Sequence, residues 1–150
     1  MITPSYASVL IRLSAAVTVG AVIGLDRELR RKPAGLRTMA LVSLGSAVYV
    51  LAALDSGGGV SFDAGSRSIQ GVVTGVGFLG AGSILRGDTD NSVRGLTTAA
   101  SIWLAAATGV ACGLAQWPLV IGSAAFGVLV LVLSPVERII HNRRKTDQEV

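Results

Sequence analysis

Residues 95–136 form a run of 42 positions without a single Asp, Glu, Lys or Arg. A helix needs about 20 predominantly apolar residues to cross a bilayer, so a run of that length holds two crossings. Three further runs, 13–25, 38–54 and 68–85, are equally free of charge. Charged residues make up 15% of the 150-residue chain, whereas soluble domains average about 25%. The deficit argues against a soluble enzyme, a disordered chain or a secreted disulfide scaffold, and Cys112, the one cysteine, has no internal partner for a disulfide. The expected class is an all-α polytopic membrane protein with five transmembrane helices.

The spans are expected at 9–25, 38–54, 69–85, 96–115 and 119–133. The long run divides at Gln116-Trp117-Pro118, because proline lacks an N–H and disfavours helical geometry in the residue before it. Trp117 suits the headgroup level of a membrane surface. Residues 1–136 are read as one transmembrane domain and 137–150 as a basic cytoplasmic tail. Helix one is not read as a cleaved signal peptide: Arg12 is its only preceding cation, no small-x-small site closes it, and Asp26-Arg27-Glu28 follows.

Charge placement orients the bundle. Arg27, Arg30, Arg31, Lys32 and Arg37 fall in the first connection, Arg86 and Arg94 in the third, and Arg138, Arg143, Arg144 and Lys145 in the tail. With five spans, 11 of the 13 basic residues share one face, leaving Arg12 and Arg67 near the other. The positive-inside rule puts that face in the cytoplasm and the N-terminus outside. The formal charge of +4 therefore serves orientation, and no nucleic-acid partner is expected.

Lipid gives helices no hydrophobic reason to associate, so small residues must let backbones approach. Gly20 and Gly24, Gly71 and Gly75, Gly109 and Gly113, and Ser123 and Gly127 each recur at a spacing of four, on one helical face. Packing within one protomer is the favoured reading; a homo-oligomer face is the alternative. Helix three is unusual, with Gly71, Gly75, Gly77, Gly80 and Gly82 in close succession, each costing about 1 kcal/mol of helix propensity relative to alanine. Either neighbouring helices cross there at short distance, or the helix is interrupted and exposes backbone as transporters do. Close crossing is favoured, since interruption needs a polar cavity.

Several strings carry no chemistry. Residues 75–80 fit GxGxxG but lie in an apolar span without a preceding strand. Asp88, Asp90 and Ser92 open like a calcium loop that then has Val93 and Ala99 where glycine and glutamate belong. His141 stands alone, no residue set has zinc spacing, and there is no phosphate loop. No cofactor or metal is expected. The remaining candidates gather at the cytoplasmic mouth: Asp26, Arg27, Glu28, Arg37, Arg86, Arg94, Thr97 and Thr98. Arginines there can simply snorkel to headgroups, but acids add little to orientation, so Asp26 and Glu28 are expected to pair with Arg37, Arg86 or Arg94.

Gly24-Leu25-Asp26-Arg27-Glu28, AGLRTMALVSLGSA (34–47), TGVGFLGAGSILRG (74–87) and VRGLTTAASIWLAAATGVACG (93–113) together resemble the transmembrane domain of the MgtC/SapB family of bacterial inner-membrane proteins. The resemblance implies a non-enzymatic five-helix membrane domain, and a link to growth in low magnesium, to virulence and to restraint of the F-type ATP synthase. It places the family's acidic-Arg-acidic cluster on Asp26, Arg27 and Glu28, with Asp at a position usually Glu. Its AGLRT block puts an arginine at Arg37, and its VRGLTTAA block puts Arg94, Thr97 and Thr98 at the start of helix four. At the outer mouth it matches Arg67, but the family's glutamine four residues on is Gly71, with Gln70 beside it. Many members continue into a soluble C-terminal domain, which is not expected here. Two functions compete: a regulator that binds another membrane complex, or a small conduit for magnesium or another solute. The regulator is favoured, because no acid lies deep in a span and intramembrane charges mark transport pathways.

Overall fold

A computed structural model describes residues 4–55, 62–86 and 93–146, with only the backbone described for Asp55, Phe62, Leu85, Arg86 and 134–146. Five helices account for nearly all of it: α1 (Tyr6–Leu29), α2 (Leu36–Asp55), α3 (Phe62–Gly82), α4 (Leu96–Gly113) and α5 (Trp117–Thr146). A two-residue antiparallel pairing of β1 (Leu85–Arg86) with β2 (Val93–Arg94) joins α3 to α4. Three helices, α1, α2 and α4, are long and apolar enough to cross a membrane, and α5 carries a shorter apolar stretch over Trp117–Leu133.

Local chemistry explains the ends. Ser5 caps α1 by accepting from the Ser8 N–H, a preferred residue in that role. At the other end Arg31 adopts φ 51°, and the N–H groups of Arg31 and Lys32 return to the carbonyls of Glu28 and Arg27. Two otherwise orphaned carbonyls are thereby satisfied by a left-handed stop. The same device closes α4: Ala115 has φ 55°, and Ala115 and Gln116 donate to Cys112 and Ala111. Trp117-Pro118 then opens α5, with proline in a first turn where its missing N–H costs nothing. The expected break at 116–118 is thus a short turn.

α2 is held on both sides by glycine. A Cβ on Gly20 would stand 2.6 Å from the Met39 carbonyl oxygen, and one on Gly24 would stand 2.6 Å from the Leu36 Cα. From α4, a Cβ on Gly109 would run into the Ser43 carbonyl, and one on Gly113 would lie 3.0 Å from the Ala47 carbonyl oxygen. α1 therefore runs antiparallel to α2, and α4 parallel to it. The core is correspondingly fine-grained. Ala16, Ala47, Ala111, Cys112 and Val120 form one cluster, while Met39, Val76, Ile102, Ala105 and Ala106 form another. Large side chains such as Leu10, Leu41, Phe78, Ile121 and Phe126 point outward, as suits a bundle whose solvent is lipid.

Helix three departs from both readings of its glycines. It is continuous from Phe62 to Gly82, so no interruption exposes its backbone, and it begins several residues before the expected start. Close crossing is also absent at most of its glycines: a Cβ at Gly71, Gly75, Gly77 or Gly82 would meet nothing within 4 Å. Only Gly80 faces a neighbour, with Ala99 and Trp103 at 3.7 Å, an ordinary contact. The spacing that brings α1 and α4 onto α2 leaves α3 with an open small-residue face instead.

The contrast gives a direct test. Gly109→Ala should cost about 3 kcal/mol by overpacking against the α2 backbone, whereas Gly75→Ala should leave stability unchanged or slightly raised. Thermal unfolding of the two purified variants in detergent measures the difference.

Candidate functional site

The charged residues expected at one mouth converge at the end of the bundle where α1 turns into α2 and the β pairing leads into α4. Gly95 shapes the entry to α4. Its φ of 92° lies in the left-handed region, and a Cβ there would collide with the Ser83 carbonyl, so only glycine fits on both counts. Being glycine, it supplies no side-chain cap for the first turn of α4.

Arg27 enters that turn from α1. It is 4% exposed, and its Nη2 donates to the Thr98 Oγ1 at 2.5 Å; Thr98 itself is 2% exposed. Its Nε is buried without a hydrogen-bond partner. A snorkelling arginine keeps its head in water or among headgroups; Arg27 does the reverse. The adjacent Asp26 has a cation of its own helix as partner. Its Oδ1 accepts from Arg30 Nε at 2.7 Å, one turn along the same helix, while Oδ2 is buried and unpartnered. The i,i+4 spacing offers Asp26 a cation on its own helical face.

Glu28 takes a backbone partner. Its Oε2 accepts from the Leu36 N–H at 3.2 Å, so the carboxylate closes the α1–α2 connection by capping the positive end of α2. Gly35 makes this possible, since a Cβ at that position would overlap the Glu28 carboxylate. Arg37, Arg94 and Thr97 are exposed at the same end, and the Thr97 carbonyl accepts from the Ser101 hydroxyl at 2.7 Å. Arg86 is placed there by its backbone alone. Asp88, Asp90 and Ser92 lie outside the described residues.

The outer-mouth pair is not brought to this site. Arg67 and Gln70 lie within α3, both exposed; Arg67 Nε reaches the Asp63 carbonyl at 3.4 Å, and the Gln70 carbonyl accepts from Thr74. Arg12, treated in the sequence only as a charge near the other face, proves structural. Its Nη1 donates to the Gly113 carbonyl at 2.8 Å and its Nε to Ser8 Oγ at 3.2 Å, so it satisfies the C-terminal end of α4 from α1. The signal available for it was spacing: Arg12 and Arg27 are four turns apart on one helix, nearly the length of α4.

A second feature lies between α2 and α3. Leu41, Gly45, Tyr49, Gly71, Gly75 and Leu79 line an apolar groove of about 650 Å³. The unopposed glycines of α3 form one wall and Gly45, likewise without a neighbour within 4 Å, part of the other.

Glu28→Ala should lower stability by about 1 kcal/mol, as the loss of a helix-capping acceptor does, and Glu28→Gln should restore most of that, because its amide oxygen can still accept. Thermal unfolding in detergent reads both.

Known proteins resemble the chain in sequence over most of its length. The family model for the MgtC family matches residues 13–139. Protein SrpB of Synechococcus elongatus is 47% identical over 129 residues, covering 80% of this chain and 71% of that protein. Protein MgtC of Salmonella typhimurium is 45% identical over 108 residues, 72% of this chain but 44% of its own length. YhiD of Escherichia coli K12, whose name proposes a magnesium transporter, is 41% identical over 134 residues, covering 83% of this chain and 60% of its own. None of these names indicates an enzymatic activity, and no solved structure matches the chain. The chain belongs to the MgtC family of membrane proteins, spanning that family's helical membrane domain.

Proposed function

We propose that this protein is a non-enzymatic inner-membrane regulator, with all five helices in the bilayer, the N-terminus outside and the basic tail in the cytoplasm. It acts by binding another membrane complex during adaptation to magnesium limitation and in virulence. The F-type ATP synthase, implied by the family resemblance, is the first complex to test. The observation that carries this reading is the open face of α2 and α3, where a Cβ at Gly45, Gly71 or Gly75 would meet nothing within 4 Å among the described residues. Small residues facing outward in a membrane admit another helix at short distance, with van der Waals packing as the driving force.

Transport of a cation is the second reading, supported by the name of the Escherichia coli relative. The electrostatics of the mouth weigh against it. Arg27 is buried beside the N-terminal end of α4, where the helix dipole is also positive, so a divalent cation entering the bundle there meets like charge. Asp26, Glu28 and Asp63, the described carboxylates, sit at helix ends or first turns.

A photo-crosslinking residue at Leu41 or Leu79, in native membranes, should capture a defined membrane protein by mass spectrometry, while one at Phe126 on α5 should not. A crosslink to a second copy would reassign the face to self-association. Magnesium or proton flux through the purified protein in liposomes, abolished by Gly77→Trp, would defeat the regulator reading.

A further inference from the structure

Arg27 has an electrostatic problem that the protein's own described groups meet only in part. Its guanidinium is withdrawn from solvent, and withdrawing a charge costs several kcal/mol unless a counter-charge and hydrogen bonds offset it. The acceptor it has is neutral, the hydroxyl of Thr98. That hydroxyl stands in the first turn of α4, whose N-terminal end carries roughly half a positive charge, so the helix end adds repulsion. Asp26, the adjacent carboxylate, attracts the guanidinium, as does the C-terminal end of α1, but its Oδ1 is engaged by Arg30 and its buried Oδ2 makes no hydrogen bond to Arg27. Arg12 shows the opposite arrangement: at the C-terminal end of α4 it meets a carbonyl, where the dipole favours a cation.

We infer that the first turn of α4, with Arg27 behind it, is a binding site for a phosphate-class oxyanion at the cytoplasmic mouth. Two independent features define it. One is an N-terminal turn whose cap residue, Gly95, offers no side chain of its own, a geometry suited to anion binding by backbone N–H groups. The other is the buried, unpartnered Nε of Arg27, held against that turn by Thr98 and matched to oxyanion geometry by the planar guanidinium fork. The shared chemistry is a phosphate oxygen, whether it belongs to an anionic lipid headgroup or to a free ion. Either source would add negative charge between Arg27 and α4. The inference does not depend on which complex the protein regulates or on whether it transports.

The test uses the whole protein in nanodiscs and follows its thermal midpoint. One arm titrates inorganic phosphate against chloride at equal ionic strength in phosphatidylcholine discs. The other replaces part of the phosphatidylcholine with phosphatidylglycerol. A saturating rise in the first arm identifies a free anion, and a rise confined to the second identifies a headgroup. In either case Arg27→Gln should abolish the response and Arg27→Lys should weaken apparent affinity by at least about tenfold, the fork being lost. Lys32→Gln, an exposed cation at the same end, should keep the response. Where neither Arg27 variant accumulates, Thr98→Val decides: with the guanidinium no longer held at the turn, affinity should also fall at least about tenfold. Absence of any response in the wild type, or unchanged affinity in Arg27→Lys or Thr98→Val, overturns the site.

Discussion

The bundle depends on the approach of α1 and α4 to the backbone of α2. In lipid, burying apolar side chains yields little, because acyl chains solvate them as well as neighbouring helices do. What remains is close packing, and Gly20, Gly24, Gly109 and Gly113 provide it by leaving no Cβ between one helix and the next. These contacts also set the ends of the helices. With Gly24 against Leu36, the α1–α2 connection is drawn so tight that Glu28 reaches the first N–H of α2. With α4 locked parallel to α2 at Ser43 and Ala47, its first turn arrives beside Arg27. The geometry of the mouth is therefore a consequence of seams in the middle of the bundle.

α4 is the most enclosed helix, and both its ends are met by arginines from α1. Inside a membrane every backbone polar group must find a partner within the protein. Arg12 meets that demand at Gly113, and the left-handed turn at Ala115 returns two N–H groups to carbonyls one turn back. At the other end the same helix presents donors, and a second arginine cannot satisfy donors. The two ends are thus chemically unequal although the same side-chain type reaches both.

Much of this was legible in the sequence, and the failures have a common cause. Charge-free runs located the five helices, and the glycine pairs at 20/24 and 109/113 marked real seams. The identical spacing at 71/75 marked none. Spacing says that small residues share a helical face; it does not say whether another helix lies over that face, which depends on how many neighbours the helix has. The acids were legible as residues that topology does not require, but two of their partners were not. Asp26 found Arg30 on its own helix, and Glu28 found a backbone N–H, a group that every residue but proline carries and that no residue pattern advertises. Arg12 was missed for the same reason, since its partner is a carbonyl.

The two unusual features, an open α2/α3 face in the middle of the molecule and a buried cation at its basic end, are connected through α2. α2 forms a wall of the groove through Leu41, Gly45 and Tyr49, and its first N–H holds the Glu28 carboxylate next to Arg27 in sequence. A ligand at the mouth would stabilise the α1–α2 turn and the entry to α4 together, and α4 packs on α2 through backbone contacts that leave no room for independent movement. Any shift of α2 relative to α1 must break the approach at Gly20 and Gly24, so it would be opposed along the whole seam. Occupancy at the mouth would therefore act on the groove by stiffening its wall, and a partner helix seated in the groove would by reciprocity tighten binding at the mouth.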